Sequence, residues 1–473
     1  MVTHNQAKTP LYDALKQFAA RRPVSFHVPG HKNGMIFSGD ARRDFDPILP
    51  LDLTELSGLD DLHASQGIID EAQELAAEFF GADHTHFLIG GSTAGNLAMI
   101  LAVCTAGDKI IVQRNSHKSI FNALELSGAR PVFMAPVFDH AADRYTAPDA
   151  DTVKTAIKAH PDAKAVILTY PDYFGKTYAL KAIIAHSHEY NIPVLIDEAH
   201  GVHFSLYDDF PDSALALGAD AVVQSAHKMA PAMTMGAYLH VQSARLSDEQ
   251  IQHYLQMVQS SSPSYPIMAS LDLARAFLAG LTTNDLEAIV ASSHQVKRIM
   301  SASDHWDVVT GNDPLKVTLK AKPGLTGEKI AHLFEQEGIY PELATHNQVL
   351  FIHGLAPFDA HNQLKNTIGN IDAQLKNTVN RDIIEIDNLF TERLTELAID
   401  YAAMKQHSTV HVPFQQSPGY IAAEPITPYP PGIPFIVKGE RITRRHIRLL
   451  DEFMQQGVRL QHRNINQGIS VFQ

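Results

Sequence analysis

Between residues 83 and 240 the chain alternates short apolar runs with stretches of helical periodicity. The runs are apolar on both faces, which is typical of strands in a mostly parallel sheet covered by helices on both sides. Seven strands are predicted: His86–Ile89, Lys109–Gln113, Pro131–Ala135, Ala165–Thr169, Val194–Asp197, Ala221–Ser225 and Gly236–Val241. Helices are predicted at Thr93–Cys104, Lys118–Ser127, Ala150–Ala159 and Leu180–Tyr190. Because ligands on such sheets bind beyond the carboxyl ends of the strands, a site is expected in the loops that follow them.

The pattern differs on either side of this stretch. Residues 10–75 read as irregular, with one short helix at Leu11–Ala20, and the chain after residue 300 reads as α+β. The later elements are predicted as strands Leu315–Leu319 and Val349–Ile352 and helices Gly327–Gln336, Phe358–Leu375, Asn388–Met404 and Thr443–Gln456. We therefore expect an N-terminal segment (1–75), a large α/β domain (76–300) and a smaller C-terminal α+β domain (301–473).

Composition excludes several classes of protein. The net charge is -14 and no basic run occurs, which argues against nucleic-acid or anionic-membrane partners. The single cysteine, Cys104, excludes an internal disulfide and a cysteine-based metal site, and we expect no metal. The longest nearly apolar stretch, Leu97–Ala106, is about half of a bilayer span. Since the N-terminus does not resemble a secretory signal, a cytoplasmic location is expected.

Two loops after predicted strands carry groups suited to a flat anionic ligand. Gly90-Gly91-Ser92-Thr93 follows the first strand and opens a helix, which favours anion binding; an ordinary capped turn is the alternative. His117, in Asn115-Ser116-His117-Lys118, could stack on a flat ligand or simply cap a helix. Neither loop is specific by itself.

Two further loops carry a carboxylate and an amine. Asp197 ends an apolar strand, where a carboxylate is costly unless it meets a cation or several donors; the alternative is a turn cap. Lys228 lies between an apolar strand and an apolar loop, where an amine can become nucleophilic or can extend its charge to solvent. Together the four loops supply an anion cradle, a stacking ring, a carboxylate and a lysine, which is the set that pyridoxal 5′-phosphate requires.

The residues also resemble a known family, the Orn/Lys/Arg decarboxylases of the aspartate-aminotransferase fold (fold type I). The resemblance runs over nearly the whole chain and includes segments 9–12, 26–32, 52–63, 91–93, 197–201, 225–228, 262–266, 423–424 and 429–434. The most specific are Pro29-Gly30-His31-Lys32 and Tyr429-Pro430-Pro431-Gly432-Ile433-Pro434. The chain looks like the short form without an N-terminal wing domain, which implies a homodimer with shared active sites rather than a larger ring.

The resemblance implies a role for each site residue. Lys228 would bind the cofactor's aldehyde, Asp197 its ring nitrogen, and His117 and Ala199 the two ring faces. The phosphate would be held by Gly91, Ser92, Thr93, Ser225 and His227. Ser261, within the Ser260–Ser262 run, would reach the phosphate of the neighbouring subunit. His200 stands where larger members often carry an aromatic residue, so its role is left open.

The implied reaction is α-decarboxylation of arginine, lysine or ornithine to the corresponding amine, with Lys228 or His227 returning a proton to Cα. The sequence does not discriminate among these substrates. Candidates for the partner of the distal cation are Glu55, Asp60, Asp61 and Glu424. An aminotransferase or lyase of the same fold is an alternative, since Arg381, Arg393, Arg441, Arg444, Arg445 and Arg448 could bind a carboxylate. A catalytically inactive regulator is a third.

Overall fold

The computed structural model describes residues 5–375, 390, 392–428, 433–455, 460–461 and 468–473. The helices in this part of the chain are α1 Pro10–Ala20, α2 Arg42–Phe45, α3 Ile68–Phe80, α4 Gly91–Val103, α5 Lys118–Ser127, α6 Ala150–Ala159, α7 Leu180–Glu189, α8 Ala226–Met229, α9 Asp248–Val258, α10 Tyr265–Gly280, α11 Thr283–Met300, α12 Gly327–Gln336, α13 His361–Leu375, α14 Tyr401–Met404 and α15 Arg444–Gln455. The strands are β1 His84–Leu88, β2 Lys109–Gln113, β3 Arg130–Met134, β4 Phe138–Asp139, β5 Arg144–Tyr145, β6 Val166–Thr169, β7 Val194–Asp197, β8 Ala221–Gln224, β9 Ala237–Val241, β10 Trp306–Val309, β11 Lys316–Ala321, β12 Leu343–Ala344, β13 Gln348–Ile352, β14 Leu394–Glu396, β15 Thr409–Val412, β16 Ile421–Ala422, β17 Thr427–Pro428, β18 Leu460–Gln461 and β19 Ile469–Phe472.

The largest sheet is mixed and has the strand order β1-β9-β8-β7-β6-β2-β3-β14. All seven strands predicted from the sequence are present, with boundaries within two residues. The structure confirms the predicted fold class, but the sheet has eight strands rather than the predicted seven. The additional strand, β14, pairs antiparallel with β3.

The eighth strand lies where the sequence predicts one helix over Asn388–Met404, and that prediction is wrong. Among the residues described there, Leu394–Glu396 is a strand and only Tyr401–Met404 is helical. Leu and Glu favour helices, but the pairing of Thr395 with Phe133 on β3 is a long-range contact that local propensity cannot register. Residues 388, 389 and 391 lie outside the described part of the chain.

The chain divides into two compact units that do not follow chain order. The first comprises Met1–Val103, Ser187–Asp208 and Asp212–Thr282; the second comprises Cys104–His186, Asp209–Pro211 and Thr283–Gln473. The division into 1–75, 76–300 and 301–473 stays a sequence prediction. This division follows from changes in the hydrophobic pattern along the chain, and that pattern carries no information on long-range packing.

In the first unit, helix α1 is fastened to helix α10. The backbone N–H groups of Leu11 and Tyr12 donate to Asp272 Oδ2 at 3.1 and 3.3 Å. Asp272 in turn pairs with Arg275 at 2.8 Å, and both side chains are fully buried. The N-terminal segment is thereby part of this unit's core, which also contains β1, β7, β8 and β9.

The second unit contains the smaller C-terminal α+β part. Strands β10, β11, β13 and β12 form an antiparallel sheet in that order. Trp306 and Phe334 belong to a buried cluster formed by this sheet with helices α11, α12 and α13, and their rings are in contact. No helix in the described part of the chain is long and apolar enough to cross a membrane.

Candidate active site

The loop between β1 and α4 is a tight turn that opens a 13-residue helix. Gly91 has φ +68°, a left-handed conformation that favours glycine, and its N–H donates to Met235 O at 2.9 Å. Gly95 lets α4 approach the sheet, because a Cβ there would lie 2.8 Å from Leu88 Cδ1 and Val223 Cγ2. Ser92 and Thr93 therefore stand in the first turn of a helix, where N–H groups have no helical acceptor.

The loop after β8 meets this helix start through its first residue. Ser225 is nearly fully buried, and its Oγ lies 2.7 Å from Ser92 Oγ. The backbone N–H of His227 donates to Gly236 O at 3.2 Å, next to the Met235 carbonyl that holds Gly91. The turn Met235–Gly236 thus accepts hydrogen bonds from the loop after β1 and from the loop after β8. Two predicted phosphate ligands, Ser92 and Ser225, are in contact.

Asp197 ends β7 and is 3% exposed. Asn96 Nδ2, from α4, donates to Oδ2 at 3.0 Å, and Ala199 N–H donates to Oδ1 at 3.3 Å. Asp197 pairs in parallel register with Val223 on β8, two residues before Ser225. The carboxylate therefore lies at the same edge of the sheet as the two hydroxyl groups.

Lys228 has a close histidine neighbour. Its Nζ lies 3.0 Å from Nε2 of His200, a side chain that is 4% exposed. Lys228 is held by the short helix α8, where its own N–H donates to Ser225 O at 3.2 Å. The structure thus places an amine, a histidine and a serine on two consecutive loops of the first unit.

The hydrogen bond of His227 limits what its ring can do. Nδ1 lies 3.0 Å from Gly236 O, and because a carbonyl only accepts, Nδ1 must carry a hydrogen. In the neutral ring Nε2 is then an acceptor. His227 can donate to a phosphate only as the doubly protonated imidazolium, so its predicted role requires a positive charge.

Two further predicted site residues, His117 and Ser261, have local surroundings of their own. His117 belongs to the second unit, where it precedes α5 and its Nδ1 accepts from Ser119 N–H at 3.3 Å. Ser261 is exposed, and its neighbour Ser260 offers its carbonyl to His63 Nε2 at 2.8 Å. The stacking role of His117 and the phosphate role of Ser261 stay predictions.

The carboxylate of Asp60 caps the start of α3. Its carboxylate accepts from five backbone N–H groups, those of Asp61, Gln66, Gly67, Ile69 and Asp70, at 2.9–3.4 Å. Burial opposes ionisation, but the hydrogen bonds outweigh it and lower the pKa of Asp60. This carboxylate has a structural function that leaves little capacity for a substrate cation.

The three remaining acidic candidates differ in their surroundings. Asp61 Oδ1 accepts from His63 N–H at 2.9 Å, and Glu55 is exposed and accepts from the Thr54 hydroxyl. Glu424, in the second unit, accepts from Ser470 N–H at 2.6 Å. Glu55 and Asp61 belong to the first unit with Lys228.

Sequence reasoning missed three contributors to this geometry. Asn96 was hidden in a predicted helix, although a polar side chain among apolar neighbours is a signal for a buried partner. Met235 and Gly236 act only through backbone carbonyls, which no residue pattern reveals. Among the described residues no group of three His, Cys, Asp or Glu side chains could hold a metal ion.

Comparison with known proteins assigns both parts of the chain. Residues 9–318 match the family model for the Orn/Lys/Arg decarboxylase major domain, and residues 387–460 match that for the Orn/Lys/Arg decarboxylase C-terminal domain. The chain is similar to the uncharacterized protein YaaO of Bacillus subtilis, with 44% identity over 96% of each chain. It is also similar to an arginine decarboxylase of the same organism, with 35% identity over 97% of this chain and 96% of the relative.

A solved structure supports the fold independently. The constitutive lysine decarboxylase of Escherichia coli superposes with a TM-score of 0.81, covering 99% of this chain and 82% of that one at 20% identity. The resemblance seen in the sequence is therefore confirmed by family models over most of the chain and by the fold. The chain belongs to the Orn/Lys/Arg decarboxylase family.

Proposed function

We propose that the protein is a pyridoxal 5′-phosphate-dependent decarboxylase that converts a basic amino acid to the corresponding amine and CO2. The observation that carries this proposal is the contact between Lys228 Nζ and His200 Nε2, at the sheet edge that also holds Asp197. A relative named arginine decarboxylase supports a basic amino acid as substrate and makes arginine the first one to test.

The side chains and N–H groups at this edge of the sheet are of the types that pyridoxal 5′-phosphate requires. A phosphate requires hydroxyl and N–H donors, which Ser92, Ser225 and the start of α4 would supply. Asp197 would pair with the ring nitrogen, and Lys228 would bind the aldehyde. When bound, the cofactor supplies an electron sink for cleavage of a bond at the substrate's Cα.

The residues around Asp197 hold its carboxylate in a fixed orientation. Asn96 and Ala199 each donate to one carboxylate oxygen, so the group cannot rotate without losing a hydrogen bond. A second lone pair on each oxygen stays available as an acceptor. Asp197 can therefore hold a proton on a ring nitrogen while remaining anchored to α4.

Lys228 and His200 are close enough for proton transfer between their side chains. Lys228 Nζ is a donor, and Nε2 of a neutral His200 ring can accept from it. A His200 ring that has first taken a proton from Lys228 can return it after Nζ has given a proton to Cα of the product. Near-complete burial of His200 keeps bulk water from competing for this hydrogen bond.

We propose Glu55 or Asp61 as the partner of the substrate's distal ammonium or guanidinium group. Glu55 is exposed, and Asp61 has one carboxylate oxygen engaged by His63 N–H. The extensive bonding of Asp60 makes that residue a helix cap rather than a ligand. A substrate-binding role predicts a raised KM in Glu55→Gln or Asp61→Asn.

We propose further that two copies of the chain associate, because the N-terminal segment exposes large apolar side chains. Phe26 is 93% exposed, Val24 83% and Met35 72%. Large exposed apolar side chains concentrated in one segment are typical of protein interfaces. In a homodimer the Ser260–Ser262 run would complete the neighbour's phosphate site. The cytoplasmic location stays a sequence prediction.

The test is incubation of the purified, cofactor-loaded protein with arginine, lysine and ornithine, with detection of CO2, amines and keto acids. The proposal expects CO2 and one dominant amine. Keto acid without CO2 would indicate an aminotransferase, and a protein that binds no cofactor would indicate an inactive regulator. Lys228→Ala is expected to abolish turnover and the yellow absorbance, whereas Lys16→Ala, on helix α1, is the matched lysine control.

A further inference from the structure

A row of four buried polar side chains crosses the first unit's strands and ends beside Asp197. Its members are Glu198, Gln224, His240 and Thr85, all of them at most 3% exposed. Glu198 Oε2 accepts from Gln224 Nε2 at 2.6 Å, Gln224 Oε1 lies 3.1 Å from His240 Nε2, and His240 Nδ1 lies 2.8 Å from Thr85 Oγ1. None of these residues has a part in the reaction described above.

The strand register produces the row. Thr85 on β1 is paired with His240 on β9, and His240 is paired with Val222 on β8. Gln224 lies two residues beyond Val222 and therefore on the same face of the sheet. Glu198 directly follows β7, so the row runs from β1 to the end of β7.

Geometry favours an uncharged Glu198. Its carboxyl group is fully buried, and its contacts in the described chain are Ala214 N–H at 2.7 Å and Gln224 Nε2, with no lysine or arginine. An isolated buried carboxylate is costly, so such a group takes up a proton. Consistently, burial raises the pKa of Glu198 to about 8 and lowers that of His240 to about 3.

The row accommodates the neutral acid without losing a hydrogen bond. If the Gln224 amide is turned over, the Glu198 O–H donates to its oxygen and its NH2 group donates to His240 Nε2. His240 Nδ1–H then donates to Thr85 Oγ1. Glu198 Oε1 still accepts from Ala214 N–H, so every member stays paired.

Glu198 also shapes the turn that carries two site residues. Its N–H donates to Val223 O at 2.9 Å, and its carbonyl accepts from Gly201 N–H at 3.0 Å. A Cβ at Gly201 would lie 2.5 Å from Glu198 Cγ, so the folded side chain of Glu198 occupies the space beneath the turn. Ala199 and His200 lie between these two residues, and His200 Nε2 contacts Lys228 Nζ.

We propose that Glu198 is an uncharged positioning residue, whose carboxyl group fastens the turn Glu198–Gly201 to β8 and to Ala214 and thereby holds His200 against Lys228. This inference rests on the proposed function, because Lys228 is taken to bind the cofactor. The titratable groups joined to Glu198 through its own turn and through the row are Asp197, His200 and His240. This role needs no negative charge on Glu198; it needs the length of the side chain and the two hydrogen bonds of a neutral carboxyl group.

The test compares Glu198→Gln with Glu198→Asp in the cofactor-loaded protein without substrate. Glutamine keeps the length and both hydrogen bonds but cannot ionise, whereas aspartate can ionise but is one methylene too short. We measure the pH titration of the bound cofactor's absorbance and the rate of cofactor release. Asp220→Asn is the control: a buried carboxyl group that accepts from Val194 N–H at 2.7 Å, at the other end of β8.

The Gln variant is expected to match the wild type in both measurements. The Asp variant is expected to shift the titration and to release the cofactor about tenfold faster, the effect of losing one or two neutral hydrogen bonds. The control is expected to leave the titration unchanged. A Gln variant that behaves like the Asp variant, or an Asp variant that behaves like the wild type, would overturn the inference.

Failure of the proposed function has a different signature. A wild type that binds no cofactor refutes both proposals at once. A wild type that binds cofactor but releases no CO2 refutes only the decarboxylase reaction, since the measurements on Glu198 need no substrate. Should the Asp variant not fold, the Gln variant still decides, because a required negative charge would be lost in it.

Discussion

The Nζ atom of Lys228 lies 3.0 Å from Nε2 of His200 in the first unit of the chain. His200 follows β7 and Lys228 follows β8, two parallel neighbours, so the contact joins loops at the same edge of the sheet. A lysine that must exchange covalent partners in each turnover needs a group nearby to take and return its proton. His200 is the residue whose position suits that task.

Replacement of His200 by phenylalanine is therefore expected to lower kcat by about 10²-fold, in the range typical of general acid–base groups, with little change in KM. Phenylalanine keeps an aromatic ring of similar size but cannot accept a hydrogen bond. Steady-state kinetics with the preferred substrate measure the effect. His200→Gln, which retains a hydrogen-bond acceptor but cannot take up a proton, should not recover the rate. A fall in kcat/KM caused by KM alone would show that His200 binds substrate instead.

Asp197→Asn is expected to retain the cofactor and lose most activity, because an amide cannot hold a ring nitrogen protonated. Preorganised buried groups of this kind contribute on the order of 3 kcal/mol to transition-state stabilisation. Single-turnover rates at saturating cofactor measure the loss, and Asn96→Leu, which removes one donor to Asp197, serves as the milder comparison. A loss below about tenfold, or 1.4 kcal/mol, would assign the ring nitrogen to another group.

Stability is expected to depend on pH through Glu198. The pKa of this carboxyl group rises from 4.5 to about 8 on folding, mainly because burial disfavours its charged form. Below pH 4.5 both states hold the proton; between 4.5 and about 8 only the folded state holds it, so stability falls as the pH rises. The slope approaches roughly 1.4 kcal/mol per pH unit.

Denaturant unfolding of cofactor-free wild type and Glu198→Gln across this window measures the difference. The Gln side chain has no proton to release, so its stability should gain on the wild type up to about pH 8 and then run parallel to it. A constant difference across the window would mean that Glu198 is already ionised in the folded protein. Such a result would also contradict its role as an uncharged positioning residue.

The sequence predicted those parts of the molecule that depend on local pattern. Apolar runs located β7 and β8 because strands buried on both faces leave that signature, and the loops after them contained Asp197 and Lys228. The contact between Ser92 and Ser225 depends on the strand order of the sheet, which the sequence pattern does not determine. Helix propensity misplaced β14, whose pairing with β3 is long-range.

The sequence does not distinguish a functional residue from a structural one when both are of the same residue type. Asp60 and Asp61 are adjacent acids in a motif of the family, and the sequence made them equal candidates for a substrate cation. Only the five backbone N–H groups around Asp60 show that its carboxylate caps α3. Glu198 was hidden in the same way, since its role follows from burial and from Gly201.

The last prediction concerns the Ser260–Ser262 run, which is exposed in a single chain and is proposed to complete the partner's phosphate site. Two separately inactive variants are required: Lys228→Ala, and Ser261→Trp, whose bulk would block that loop. In a mixed dimer with shared sites, both defects fall in one site and the other site receives two intact contributions. Mixing the variants should then restore activity, up to half of the wild-type value per mixed dimer.

If Ser261 instead serves its own subunit, each site of the mixed dimer keeps one defect and mixing restores nothing. The control is a mixture of wild type and Ser261→Trp, labelled to demonstrate subunit exchange by mass. Absence of rescue despite exchange would show that this loop does not cross to the neighbour. Phe26 is expected to lie in the interface, because its side chain is 93% exposed, so adding Phe26→Asp to both variants should abolish rescue by preventing association.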